Sequence, residues 1–235
     1  LIRKRIFLKK ETDEFSQIIL DEAQDFGETV YYVLRQVLPR CYFTIMGDVS
    51  QNIRYETGLN DWEDLKKILL RDDRDSFYLL AKSYRNTIEI SQYAGRVLEK
   101  ASLGNYKIQP VIRHGNPVCV QMQQRKDIGK QLKDIQQKGF ETIAVICRDE
   151  KDTETVRKVL QTEQEEGFHN GIMVLPVTLT KGLEFDAVVL WQPDTLRYGM
   201  NVKEAKLLYV AITRALHELY LLGENEQTEL LKSRS

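Results

Sequence analysis

Two adjacent carboxylates, Asp21 and Glu22, follow directly on the apolar run Ile18-Ile19-Leu20, with another acid, Asp25, close behind. A short aliphatic segment that ends in acids reads as a buried strand whose C-terminal edge delivers carboxylates to a cleft. In a nucleoside triphosphatase, that edge carries the Asp that holds Mg²⁺ and the residue that orients or deprotonates the attacking water. The same residues would equally fit a core strand followed by a solvated acidic turn, because short motifs often arise by chance. The rest of the chain decides between the two. Four further blocks fall at expected strand ends or helix starts, where an α/β sheet places its ligand: Gly47-Asp48-Val49-Ser50-Gln51, Ser83-Tyr84-Arg85-Asn86-Thr87, Thr180-Lys181-Gly182-Leu183-Glu184-Phe185-Asp186, and Tyr209-Val210-Ala211-Ile212-Thr213-Arg214-Ala215.

The elements that must hold these blocks alternate. Strands are expected at Ile18–Leu20, Tyr42–Met46, Phe77–Ala81, Val118–Met122, Thr142–Cys147, Ile172–Val177, Ala187–Trp191 and Glu218–Leu222. Helices are expected at Thr29–Leu38, Asp61–Leu70, from Asn86 to about Lys100, at Asp127–Lys138, Thr153–Gln164 and from about Lys203 to Leu216. Apolar residues recur at helical spacing in several of these, as with Val30, Val33, Leu34 and Val37, or Ile128, Leu132 and Ile135. Asp61 has the position of an N-cap, and Asn86 with Glu89 that of a capping box. Strands alternating with helices of this length predict an α/β fold with parallel sheets. The polar break Arg71-Asp72-Asp73-Arg74-Asp75 divides the chain into an expected first domain, 1–75, and a second, 76–235.

Composition narrows the function classes. Across 235 residues, 42% are apolar and 29% charged, which is an ordinary globular composition. The net charge of −1 offers no whole-chain attraction for nucleic acid, so any such surface must be local. The basic residues of 1–10 could form one, but a charged surface strand or fraying end explains them as well. No apolar run is long enough to span a bilayer. Cys41, Cys119 and Cys147 are widely spaced and read as reduced cysteines of a cytoplasmic protein. His114, His169 and His217 show no metal-ligand spacing.

In order and spacing, the five blocks resemble motifs II through VI of the superfamily 1 DNA helicases of the UvrD/Rep/PcrA type. The resemblance spans residues 18 to 215 and implies RecA-like, P-loop NTPase-type sheets. It also implies roles. Asp21 would hold Mg²⁺ through water, Glu22 would be the general base, and Gln51 would sense the terminal phosphate of ATP and orient the attacking water. Arg85 and Arg214 would reach that phosphate from the second domain, a task suited to a planar, permanently charged guanidinium. Gly182 would let the backbone approach the phosphates, and Glu184 would meet the ribose. Plainer uses exist: Arg85 or Arg214 as a structural ion-pair partner, Glu184 as a helix-start carboxylate, Gln51 as a turn residue.

The pattern also departs from that family. No Gly-x-x-x-x-Gly-Lys-[Ser/Thr] loop occurs in the sequence, so a phosphate cradle would have to come from a missing N-terminal domain. These residues alone are therefore expected to be inactive toward ATP. The interval between Arg85 and Lys181 is too short for the accessory domain that UvrD-type enzymes insert there. Pro176 and Thr178 stand where Thr and His are usual, and Arg54 replaces a usual Tyr, with Tyr55 next. Tyr55 and Thr178 are the candidate DNA contacts; Trp62 reads as core. The compact second domain, Pro176 and Arg113-His114-Gly115 resemble the HelD branch, which implies RNA polymerase as an alternative partner to DNA.

Overall fold

The computed structural model describes residues 15–70, 75–80, 82–103, 109–110, 113–123, 127–162 and 171–232. The basic stretch 1–10 and most of the polar break at 71–75 lie outside these. The chain forms two compact units, Leu1–Leu79 and Leu80–Ser235.

The first unit is a β-α-β crossover. Strand β1 (Gln17–Leu20) pairs in parallel with β2 (Tyr42–Ile45) through helix α1 (Glu28–Val37), in a register that sets Ile18 against Phe43 and Leu20 against Ile45. Helix α2 (Trp62–Leu69) follows, and Asp61 caps it by accepting from the Glu63 N–H. The fully buried strand expected at Ile18–Leu20 is not what forms. Residues alternate exposed and half-buried along β1, and Ile19 is 62% exposed. Among the described residues this sheet has two strands, so one face carries the packing and the other meets solvent.

A second expectation also fails. The run Phe77–Ala81 forms no strand in its described part, 75–80, and Tyr78 and Leu80 are exposed. Phe77 packs its ring against Trp62 and under the Lys66 ammonium instead, at 6.3 and 4.3 Å. The run is apolar throughout, but it lies where one unit gives way to the next.

The second unit carries the main sheet. Five strands run parallel in the order β5 (Cys119–Gln121), β9 (Ala215–Leu222), β8 (Phe185–Trp191), β6 (Ile143–Cys147), β7 (Ile172–Pro176). A two-residue pair, β3 (Lys82–Ser83) with β4 (Gln109–Pro110), stands apart. Strands β6 and β8 are aliphatic almost throughout, as strands covered on both faces must be. One face packs α4 (Ile128–Gln136) and α5 (Glu150–Thr162) through Ile128, Leu132, Ile135, Val156 and Leu160 onto Val145, Cys147 and Val189. Helix α6 (Val202–Ile212) runs against β8 and β9 with α3 (Ile88–Lys100) upon it. The expected α/β class holds.

The helix expected from Thr153 begins at Glu150, and the elements around the arginine blocks also differ from expectation. Helix α6 ends at Ile212, and β9 begins at Ala215, where it is already in register with Phe185. At α3 the N-cap is Thr87, whose hydroxyl accepts from the Ile90 N–H at 3.4 Å. Asn86 reaches elsewhere: its amide donates to the carbonyls of Thr213 and Ala215 at 3.0 and 2.5 Å. A distant pair of unsatisfied carbonyls outcompetes the local cap.

Candidate functional site

Strand β1 ends at Leu20 and sets Asp21 and Glu22 on the surface at its C-terminal edge. The turn that follows is tightly determined. Glu22 is left-handed, at φ 52° and ψ 40°, a conformation that costs a non-glycine residue about 1–3 kcal/mol and persists only where its surroundings enforce it. They do so here. The Glu22 N–H donates to Asp21 Oδ1 at 2.8 Å, Asp25 N–H to the Glu22 carbonyl at 2.9 Å, and Ala23 N–H to the Met46 carbonyl at 2.9 Å. The buried Tyr31 hydroxyl donates to the Ala23 carbonyl, and burial, then the charge of Asp25, pushes its pKa up to about 12.

Strand β2 ends beside this turn and continues into a short 3₁₀ turn, Val49–Gln51. The Asp48 carboxylate organises it, accepting from Ser50 N–H at 2.9 Å and Gln51 Nε2 at 3.0 Å. Gln51 is therefore a residue of this turn, its amide held by Asp48. Buried Gln24 links the loops, with Glu22 on one side of its amide and Asp48 on the other.

In the second unit, the arginines from two distant blocks converge. Arg85 Nη2 and Arg214 Nη1 both donate to the Leu183 carbonyl, each at 3.3 Å. Glu184, next in sequence, pairs with Arg85 at 2.5 Å. It precedes a strand, so the helix-start role is not the one realised. Gly182 sits at φ +78° with open space where a Cβ would be. The arginines differ in setting. Arg214 is 1% exposed, and its guanidinium also donates to the Val210 carbonyl at 3.0 Å and to the Thr213 hydroxyl at 3.3 Å. Arg85 is more open, and among the described residues its Nε is buried without a hydrogen-bond partner.

The surroundings of Arg85 are held by residues to which the sequence assigned no chemistry. The Arg113 guanidinium donates to the carbonyls of Arg85 and Leu216. His114 and the Gly115 N–H bond Glu89 of α3, at 3.2 and 2.9 Å. Glu89's own backbone N–H, that of Gly115 and His114 hold the Glu89 carboxyl down at about 2. Thus Arg113-His114-Gly115 fastens the Arg85 loop to α3 and β9. Thr178 is exposed in the turn after β7, and Tyr55 is 37% exposed in the first unit; Trp62 is core. The sequence assigned no chemistry to Gln24, Asp48 or Arg113, and gave Asn86 only a capping role that Thr87 fills instead. Only for Gln24 was there a local signal, a large polar side chain placed where the fold demands burial.

The family-model match falls in the second unit. Residues 171–222 match the family model of the UvrD-like helicase C-terminal domain. This stretch contains Gly182, Glu184 and Arg214, and runs from the start of β7 to the end of β9. The solved C-terminal domain of a possible DNA helicase from Lactobacillus plantarum WCFS1 is 28% identical, with a TM-score of 0.52, over 63% of this chain and 92% of that domain. The PRRSV helicase is 16% identical, TM-score 0.49, over 88% of this chain and 34% of its own. An arterivirus nonstructural protein 10 (helicase) solved with DNA is 15% identical, TM-score 0.46, over 92% of this chain and 41% of its own. No curated protein matches. The second unit is thus similar in sequence and fold to a helicase C-terminal domain.

Proposed function

We propose that this chain is the C-terminal motor portion of an ATP-dependent superfamily 1 DNA helicase or translocase. The observation that carries the reading is the meeting of Arg85 and Arg214 at the Leu183 carbonyl, beside Gly182 and Glu184; all but Arg85 lie in the stretch that matches the UvrD-like family. A buried, orphaned Arg85 Nε is a donor in want of an acceptor, and guanidinium forks fit phosphate oxygens. The residues present therefore suit a triphosphate.

In this reading, the arginines stabilise charge that develops on the terminal phosphate, and Glu184 must release Arg85 for it to do so. Glu22 accepts a proton from the attacking water, which Gln51 orients. Asp21 would hold Mg²⁺, and the ion, when bound, would neutralise charge on the phosphates. The phosphate cradle comes from sequence outside these residues. Thr178 and Tyr55, both exposed, are the proposed DNA contacts, the latter by stacking. The protein works in the cytoplasm.

The HelD-type alternative, an ATPase acting on RNA polymerase, gains nothing from the structure, because Arg113-His114-Gly115 is engaged in holding the Arg85 loop. Strand displacement by the full-length protein, driven by ATP and lost in Arg85→Ala, is the expected result. Polymerase release without displacement would reverse the choice. The 235 residues alone should show no DNA-stimulated ATP hydrolysis, and robust turnover would overturn the proposed division of the site.

A further inference from the structure

We infer that Gln24 is a positioning residue that fixes Glu22 and couples it to Gln51, an inference that rests on the hydrolytic reading above. Gln24 lies in the turn after β1 and is 0% exposed. Its Oε1 accepts from the Asp48 N–H at 2.9 Å. The backbone can only donate there, so the NH₂ end of the amide must point the other way. It points at Glu22, donating to Oε2 at 2.5 Å. Asp48 continues the chain by holding Gln51 Nε2 at 3.0 Å. The sequence of contacts is Glu22, Gln24, Asp48, Gln51: the proposed base at one end, the proposed water-orienting amide at the other.

The slot for Gln24 is built by missing side chains. A Cβ on Gly47 would lie 2.4 Å from Gln24 Oε1, and one on Gly58 2.4 Å from the Gln24 carbonyl. Glutamine is the suitable residue for chemical reasons too. It donates to a carboxylate without adding a charge, whereas a Lys or Arg in the slot would favour the charged form of Glu22 and oppose proton uptake. Asparagine would be one methylene short of spanning both contacts.

The test uses the full-length protein. Gln24→Glu keeps the shape and the acceptor for Asp48 N–H, replaces the donor to Glu22 with a carboxyl oxygen and sets a second acid against it. We expect kcat for DNA-stimulated ATP hydrolysis to fall about 10²-fold, the scale of a slight misplacement of a reacting group. KM for ATP and affinity for ADP stay within about twofold, while affinity for ADP with aluminium fluoride drops with kcat, as an interaction specific to the transition state requires. Should Gln24→Glu fail to fold, Asp48→Ala severs the chain at its next link and must give the same split. Wild-type kcat in the variant, or a parallel loss of ADP affinity, kcat and melting temperature, overturns the positioning role. Glu22→Gln keeps the two failures apart: wild-type turnover there refutes the hydrolytic reading itself. An inactive Glu22→Gln beside a fully active Gln24→Glu refutes only the coupling.

Discussion

The two charged regions are secured in opposite ways. The carboxylates of the first unit are exposed, yet their backbone is pinned by hydrogen bonds and a left-handed Glu22. Beside the arginines of the second unit the left-handed position is a glycine, Gly182, which takes it without strain, and it is the arginine side chains that are constrained, one by burial and one by an exchangeable acid. Rigidity therefore sits in the main chain at one end and in the side chains at the other. On the proposed function, the acids would present fixed oxygens, while Arg85 would exchange Glu184 for a phosphate when nucleotide binds.

The sharpest way to break this contrast is to compare the two arginines. In the full-length protein, Arg85→Ala and Arg214→Ala should each cost about 10³–10⁵-fold in kcat, the range of arginine fingers. Their stabilities should separate. Losing Arg214 leaves buried carbonyls without donors, at about 1–3 kcal/mol for an unsatisfied group. Losing Arg85 breaks a partly exposed ion pair of about 0–1 kcal/mol. Chemical denaturation of both variants reads this directly, and equal losses would erase the distinction. Next in size, Glu22→Gln should lower kcat by about 10²–10⁴-fold with the melting temperature unchanged, since the left-handed turn is held mainly by main-chain bonds.

A smaller effect concerns the clamp beside Arg85. The folded-state carboxyl of Glu89 lies at about 2 against an ordinary value of 4.5. A depressed carboxyl stabilises the fold above its unfolded value and loses that contribution as pH falls through the folded one. Melting curves of the protein and Glu89→Gln should thus differ at neutral pH, and the gap should close between about pH 4.5 and pH 2. A gap independent of pH would remove the charged contact. Smallest of all, Gly182→Ala should cost about 1–2 kcal/mol, the penalty of a Cβ in left-handed backbone, because no neighbour clashes. A larger loss would mean that the loop is more crowded than its open space indicates.

How far these regions could be read in advance depended on distance along the chain. Local features were legible: the apolar runs of β6 and β8, the Asp61 cap, and the apolar stripe of α4. The blocks bearing Asp21, Glu22, Gln51, Arg85 and Arg214 were visible as sequence at element ends. Their partners were not. Asn86 looked like a cap because Glu89 stands three residues on, but its amide is claimed by carbonyls on the far side of the unit. The Arg85–Glu184 pair depends on packing that no periodicity reports. Phe77–Ala81 failed for the opposite reason. It is a short continuous apolar run, as a buried strand would be, yet its described part pairs with no strand.

The two bonds of Asn86 also say something about the order of events in synthesis. One of them spans 129 residues, so the Arg85 loop and the Arg214 corner cannot be fastened together until almost the whole second unit has left the ribosome. Loop-closure entropy makes such pairings slow in folding. The first unit's acids, joined over a few tens of residues, can be in place well before. A nascent chain would thus display its carboxylates early and acquire its arginine pair last, which defers assembly of the proposed ATP-splitting machinery until translation of the unit is nearly complete.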